Sequence, residues 1–200
     1  MLLASLVGCG GRRSEPVGTT VRVYFLRDGK VAPVARQVPA VGAPGAAEQE
    51  LANGPTAQER AIELTTAPAG SRALRAQLAY TRSQFQGYEG APRRAFEDLT
   101  PAILVESPLP FESVTSPLRA SGTANTFEAT FEYELTGAKG RVLAHHFETA
   151  TSGSGTRGTF DFTARFEVAD AEDGTLTVFE SSAENGERIH VVRIPLRLVP

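Results

Sequence analysis

Tryptophan is absent from this chain of 200 residues, and cysteine and methionine occur once each. Without indole rings there is no tryptophan platform on which a sugar could stack. The lone cysteine, Cys9, allows no intrachain disulfide and no cysteine-based metal site. Charge of one sign is scarce as well: the formal net charge of −3 is too small to argue for nucleic acid or an anionic membrane surface as partner. No segment approaches the ~20 apolar residues needed to cross a bilayer.

Signatures of catalysis are equally thin. There is no Gly-x-Ser-x-Gly elbow. The Gly-rich stretch 152–158 lacks the Gly-Lys-Ser/Thr of a phosphate loop and leads into a strand pattern, where a phosphate loop leads into a helix. His145 and His146 are adjacent, so on a strand they face opposite ways and cannot share one ion without distortion. His190 has no cysteine or paired carboxylate fixed beside it. Residues 170–174, DAEDG, carry carboxylates but lack the alternating run and closing bidentate Glu of a calcium loop, and read as a solvated hairpin turn. No cofactor, metal or catalytic set is expected, and the chain reads as a non-enzyme.

What the sequence does carry is β patterning. Phenylalanine is the main aromatic, with eleven residues, and its mass lies in the second half. In residues 127–135, FEATFEYEL, Phe127, Ala129, Phe131, Tyr133 and Leu135 share one parity, while Glu128, Thr130, Glu132 and Glu134 share the other. Side chains alternate across a strand, so this predicts a core strand with one wet face of solvated carboxylates. Further strands are predicted at 103–105, 118–124, 141–149, 159–168, 175–181 and 189–198, with Asp173-Gly174 and Asn185-Gly186 as turns. Seven strands at this spacing indicate an antiparallel β-sandwich over 98–200. Pro195 marks the last strand as an edge strand or a bulged one.

The first half is mixed. Residues 10–20 are a polar tether, and 21–97 form a small α+β region. Val21, Val23 and Phe25 suggest a strand, Arg27-Asp28-Gly29-Lys30 a hairpin turn, and Val31, Val34 and Val38 a second strand weakened by Pro33. Residues 46–52 favour helix and Asn53-Gly54-Pro55 stops it, while Thr56 and Glu59 have capping-box spacing. A helix is predicted over 71–85, capped by Ser71, with Leu74, Leu78 and Phe85 as its apolar stripe. Arg72, Arg75, Arg82, Arg93 and Arg94 give this region a basic bias. It reads as a solvated face, with anionic wall polymer or lipid headgroups as the alternative contact.

Leu6-Val7-Gly8-Cys9 is a short apolar run closing on small residues. It resembles the lipobox of bacterial lipoproteins, which implies a signal remnant over 1–9, lipid attachment at Cys9 and an extracytoplasmic, membrane-anchored chain. Only eight residues precede Cys9 and none is Lys or Arg, so the charged start of a signal peptide is missing. A start placed too late, or a trimmed N-terminus, accounts for that. Val21 to Leu26, Gly54-Pro55-Thr56 and the helix near 73–85 resemble the GerMN domain of bacterial sporulation and spore germination, in a shortened form lacking several expected strands. Ser107-Pro108, Ser116-Pro117-Leu118, Gly122-Thr123-Ala124, the stretch from Thr156 to Phe160 and Gly174 to Glu180 resemble the immunoglobulin-like domain of bacterial spore germination.

That pair of resemblances implies a non-catalytic envelope lipoprotein acting as a structural or protein-interaction module. Its partner would be an envelope protein or a wall polymer. Ser152, Ser154, Thr156 and Arg157, in a loop expected to be mobile, are the candidate partner contacts. The alternative is a module reading peptidoglycan or another cell-wall glycan with Tyr80, Tyr88 and the arginines. Nothing in the sequence fixes the oligomeric state.

Overall fold

The computed structural model describes residues 18–200, so the lipobox and most of the tether lie outside the described residues. The chain opens with a hairpin of β1 (Gly18–Arg27) and β2 (Lys30–Pro39). Its turn places Asp28 and Gly29 at positive φ, as a two-residue hairpin loop requires. Helices α1 (Ala43–Asn53), α2 (Ala57–Arg60) and α3 (Arg72–Arg82) follow. The capping box is present on α2: Thr56 Oγ1 accepts from the Glu59 amide, and the Glu59 carboxylate accepts from the Thr56 amide. Ser71 caps α3 by accepting from the Leu74 amide at 3.0 Å.

Both faces of the hairpin are buried. Val21, Val23 and Phe25 pack with Val34, Val38 and the α1 residues Ala43, Ala47 and Leu51. Tyr24, Leu26 and Val31 pack on the other face with Ala76, Ala79 and Tyr80 of α3. The apolar stripe predicted for α3 is therefore displaced. Leu74, Leu78 and Phe85 are only partly buried, and the residues that go inside are Ala76, Gln77, Ala79, Tyr80 and Thr81. Small alanines let the helix approach the sheet closely, and the two polar residues have backbone partners: Gln77 accepts from the Ala67 amide and Thr81 from the Tyr24 amide.

After a 3-10 segment at Arg93–Leu99 come eight strands. They are β3 (Ile103–Ser107), β4 (Ser113–Val114), β5 (Leu118–Ala124), β6 (Thr130–Thr136), β7 (Val142–Thr149), β8 (Gly158–Ala164) and β9 (Glu172–Ser181), with β10 (Arg188–Leu198) closing the chain as an eighth. They form a five-stranded sheet in the order β4-β10-β9-β6-β7 and a three-stranded sheet in the order β3-β5-β8. The protein is mainly β, with an immunoglobulin-like sandwich preceded by the small helical region. Phe131, Tyr133 and Leu135 of β6 meet Phe160 and Phe162 of β8 across the core, and Tyr133 stacks on Phe162 at 4.5 Å between ring centroids. Burying each such side chain contributes about 1.5–3 kcal/mol.

Two local expectations are corrected. Residues 127–129 do not extend the strand: Phe127–Ala129 is a 3-10 turn, Glu128 and Ala129 have positive φ, and Phe127 is 59% exposed. Parity alone could not see that the chain must turn there to receive the 151–158 loop. Asp173-Gly174 is not a turn either, because β9 runs straight through it. A Cβ on Gly174 would lie 2.6 Å from Leu198 Cδ1 and 2.7 Å from the Thr136 carbonyl oxygen, so the glycine is there for close approach.

The two halves share a core. Leu104 of β3 joins Tyr24, Leu26, Val31, Tyr80 and Phe96 in one apolar cluster. Polar contacts reinforce it: Tyr24 donates its hydroxyl to Glu106 of β3, and Arg93 reaches Glu106 at 2.7 Å and the Tyr24 hydroxyl at 3.1 Å. Burial, then the Glu106 charge, push the Tyr24 phenol well above its usual value, so it stays a donor. A two-stranded hairpin is marginal alone, and here it is stabilised by helices and by the sandwich.

Candidate interaction site

Cys9 lies outside the described residues. The four loop residues predicted to contact a partner fall into two groups. Ser154 and Thr156 are exposed at the tip, and Ser152 is half-buried. Arg157 is a fastening residue. Its guanidinium bonds Glu97 at 2.9 Å and the Pro101 carbonyl at 2.8 Å, and it reaches Thr123 Oγ1 at 3.2 Å. With its side chain 16% exposed, it ties the sandwich to the connection from the first half.

The loop is not loose. Ser154 donates its amide to the Thr126 carbonyl at 2.8 Å and accepts from the Glu128 amide at 3.0 Å; Gly155 donates to Asn125 Oδ1 at 2.9 Å. A Cβ on Gly153 would sit 2.3 Å from the Ala129 nitrogen, so only glycine lets the loop lie against the Phe127–Ala129 turn. The result is a fixed tip, with Phe127 standing out from the turn onto which it is tied.

Beside it runs β7, which among the described residues pairs only with β6 and so ends its sheet with an open edge. Phe147 is 67% exposed and Val142 is 55% exposed on this strand. A register shift near Leu135 and Thr136 sets Leu143 in a bulge, which puts Val142 opposite Thr136 and Phe147 opposite Glu132, on the outer face. The sequence signal for this was weak but present: in VLAHHFET, apolar residues occupy both parities, which fits neither a clean core strand nor a clean surface one.

The outer face of the five-stranded sheet is dressed by ions around one ring. Phe179 is buried there beneath Arg188, whose guanidinium lies 4.1 Å from the ring centroid, and His145 stacks beside it. Arg188 pairs with Glu134 at 2.9 Å, and Glu132 takes hydrogen bonds from Ser181 and His145 at 2.5 and 2.8 Å. The Ser181 hydroxyl first, and then His145, hold the Glu132 carboxyl below its usual value; the Arg188 hydrogen bond does the same for Glu134. Both carboxylates are held ionised by their neighbours, which suits a paired surface face and supplies no proton donor at neutral pH. His190 lies 3.7 Å from Glu180. Among the described residues no group of three or more His, Cys, Asp or Glu side chains could hold a metal ion.

The residues of the glycan and basic-face alternatives are placed differently from one another. Tyr80 is 2% exposed, with its hydroxyl 2.5 Å from Thr100 Oγ1 and Arg93 over its ring, so it cannot stack on a sugar. Tyr88 is half-buried and donates to the Ala91 carbonyl. Arg72 pairs with Asp98, Arg82 with Glu48 and Arg93 with Glu106, while Arg75 and Arg94 are exposed.

The sandwich, its two sheets and its phenylalanine core define an immunoglobulin-like module. In agreement, residues 102–187 match the family model described as the immunoglobulin-like domain of bacterial spore germination, Gmad2. No curated protein matches the chain. A solved structure, that of WR4, a C. elegans MSP family member, aligns at 12% identity over 49% of this chain and 96% of that one, with a TM-score of 0.27, too low for the likeness to carry an argument.

Proposed function

We propose that the chain is a non-catalytic module of the bacterial envelope, held at the membrane through Cys9, whose sandwich docks a protein partner along the β7 edge. The observation that carries this reading is the pairing of an open strand edge with exposed Phe147, Val142 and Phe127 beside the fastened 151–158 tip. An edge strand offers main-chain donors and acceptors for an extended segment of the partner, and alternate side chains give the specificity. The Ser154 and Thr156 tip extends the contact at one end. The family description matched by residues 102–187, which names bacterial spore germination, supports such a module, and the lipobox resemblance supports the anchor.

The test is photo-crosslinking in the native envelope from a probe at position 147 or 154, read by mass spectrometry. A single protein species should be trapped from both positions and lost when Phe127→Asp is added. Cys9→Ala should move the chain from the membrane fraction to the soluble one. Crosslinks that scatter over many proteins, or survive the substitution, would remove the docking reading.

A further inference from the structure

Between the two halves lies a cleft of about 310 Å³, walled by β2 on one side and by β3 and β10 on the other. That volume is at the lower end of the ~300–1,000 Å³ typical of small-molecule sites. Its body is apolar, built from Val31, Leu104, Val192 and Ile194 among others. Its rim is cationic: Arg27, Lys30 and Arg193 line it, with Asp28 as the one carboxylate there.

Arg27 donates only to carbonyls, those of Ile62 at 3.1 Å and Arg193 at 3.2 Å. Lys30 likewise donates to a carbonyl, that of Asp98. Among the described residues none of Arg27, Lys30 and Arg193 has a carboxylate within salt-bridge distance, whereas other arginines, among them Arg36, Arg72, Arg82, Arg93, Arg119, Arg157 and Arg188, do. Arg22, Arg60, Arg75, Arg94 and Arg165 are unpaired in the same sense, but none of them lines the cleft, where three such cations converge. Arg27 is moreover half-buried, and burial pulls its guanidinium below the usual value. Asp28 and Glu63 act on it through space without a paired contact, and a partly desolvated guanidinium with no paired carboxylate is a site that a ligand anion satisfies.

The wall chemistry narrows the body of that ligand. Pro33, Pro101 and Pro110 all line the cleft, and none has an N–H to offer. A peptide strand added here would find few main-chain donors, while an alkyl body needs none. We infer that the cleft between β2 and the β3/β10 wall binds an anionic amphiphile, with its carboxylate or phosphate head at Arg27, Lys30 and Arg193 and its apolar body along the partly exposed Ala32, Ala102 and Val192. This does not depend on docking at β7.

The test uses the full chain and calorimetric titration with dodecanoate below its micelle concentration, and in parallel with phosphatidylglycerol vesicles. Dodecyltrimethylammonium serves as the cationic control. Dodecanoate should bind one per chain, with the cationic control weaker by about tenfold or more. Lys30→Glu with Arg193→Glu reverses two exposed charges without touching the core, and should weaken dodecanoate about tenfold. Ala102→Phe, which fills the cleft, should abolish binding. Binding to vesicles that falls in the same variants, without monomer binding, would support the site with a membrane lipid as the source. Absence of both, equal binding of the cation, or binding indifferent to these substitutions would overturn it.

Discussion

The edges of β1 and β7 are treated in opposite ways. Along β1, the Gln84 side chain accepts from the Arg22 amide at 2.9 Å and donates to the Arg22 carbonyl at 2.7 Å, so an amide stands in for a neighbouring strand. Thr81 accepts from the Tyr24 amide at 3.1 Å, and Leu26 exchanges two 2.9 Å hydrogen bonds with Thr65. Three alternate residues are thus satisfied, and α3 covers the edge. Among the described residues no strand lies beyond β7, and Phe147 and Val142 face solvent. Open edges invite unwanted pairing, and proteins usually cover them. The chain closes one edge with Gln and Thr side chains and leaves the other open, guarded by a bulge and by charges such as Glu148. On the proposed reading, β1 serves folding and β7 serves docking.

Breaking the shared core should have the largest effect. Leu104 is 2% exposed and comes from the sandwich, but its neighbours Tyr24, Leu26 and Tyr80 belong to the first half. Leu104→Ala should cost about 2–5 kcal/mol, and calorimetry should show one transition moved to lower temperature. Two separated transitions, with only one displaced, would mean that the halves are not energetically joined. Next comes Thr81→Val, which leaves the Tyr24 amide unpartnered in a site where both residues are fully buried. The cost should be about 1–3 kcal/mol, and hydrogen exchange should quicken along β1 while β7 stays as it was.

Acid should also separate the two regions, by a smaller margin. Glu59 is 5% exposed and meets Arg36 at 2.5 and 2.6 Å. Burial pushes its carboxyl upward, but the Arg36 hydrogen bonds and charge and the Thr56 amide outweigh it, so the native value is below the ordinary one of 4.5. The pair therefore stabilises the fold fully above that ordinary value, and the contribution is lost as pH falls through the lower native value. A denaturant titration repeated from pH 6 down to pH 3 should show stability falling in this window, and Glu59→Gln should flatten the slope. Exposed pairs such as Arg119 with Asp161 on the sandwich contribute little by comparison, so Asp161→Asn should leave the slope nearly unchanged.

Much of this architecture could be read in the sequence because local rules and burial agree there. Phe131, Tyr133, Leu135, Phe160 and Phe162 alternate and are buried, and Asp28-Gly29, Ser71 and Thr56 punctuate the chain where their chemistry demands. The failures have one cause, which is that the partner of a residue lies far along the chain. Phe127 has the right parity but sits in a turn shaped by a loop some twenty-five residues on. Gly174 looks like a turn residue until Leu198 occupies the space. Arg93 and Arg157 look like surface cations, yet they bond Glu106 and Glu97. Periodicity reports a face; it does not report what covers that face, so the cleft and the capped β1 edge could not be seen.

The smallest effect on stability should come from the residue at the proposed docking edge. Phe147 is 67% exposed, with the His146 ring edge-on to it at 5.1 Å between centroids. Replacing it by Ser removes apolar surface that folding never buried, so the midpoint of denaturation should move by no more than the equivalent of ~0.5 kcal/mol. If β7 is a recognition edge, the same substitution should weaken crosslinking from position 154 severalfold, because an exposed aromatic is the kind of anchor that dominates an interface. The matching change at β1, Gln84→Ala, should do the reverse, costing about 1 kcal/mol of stability and leaving the crosslinks intact. A Phe147→Ser protein that lost stability but kept its partner would exchange the roles assigned to the two edges. The aromatic would then be a packing residue of a closed surface, and the open edge of β7 would need another explanation.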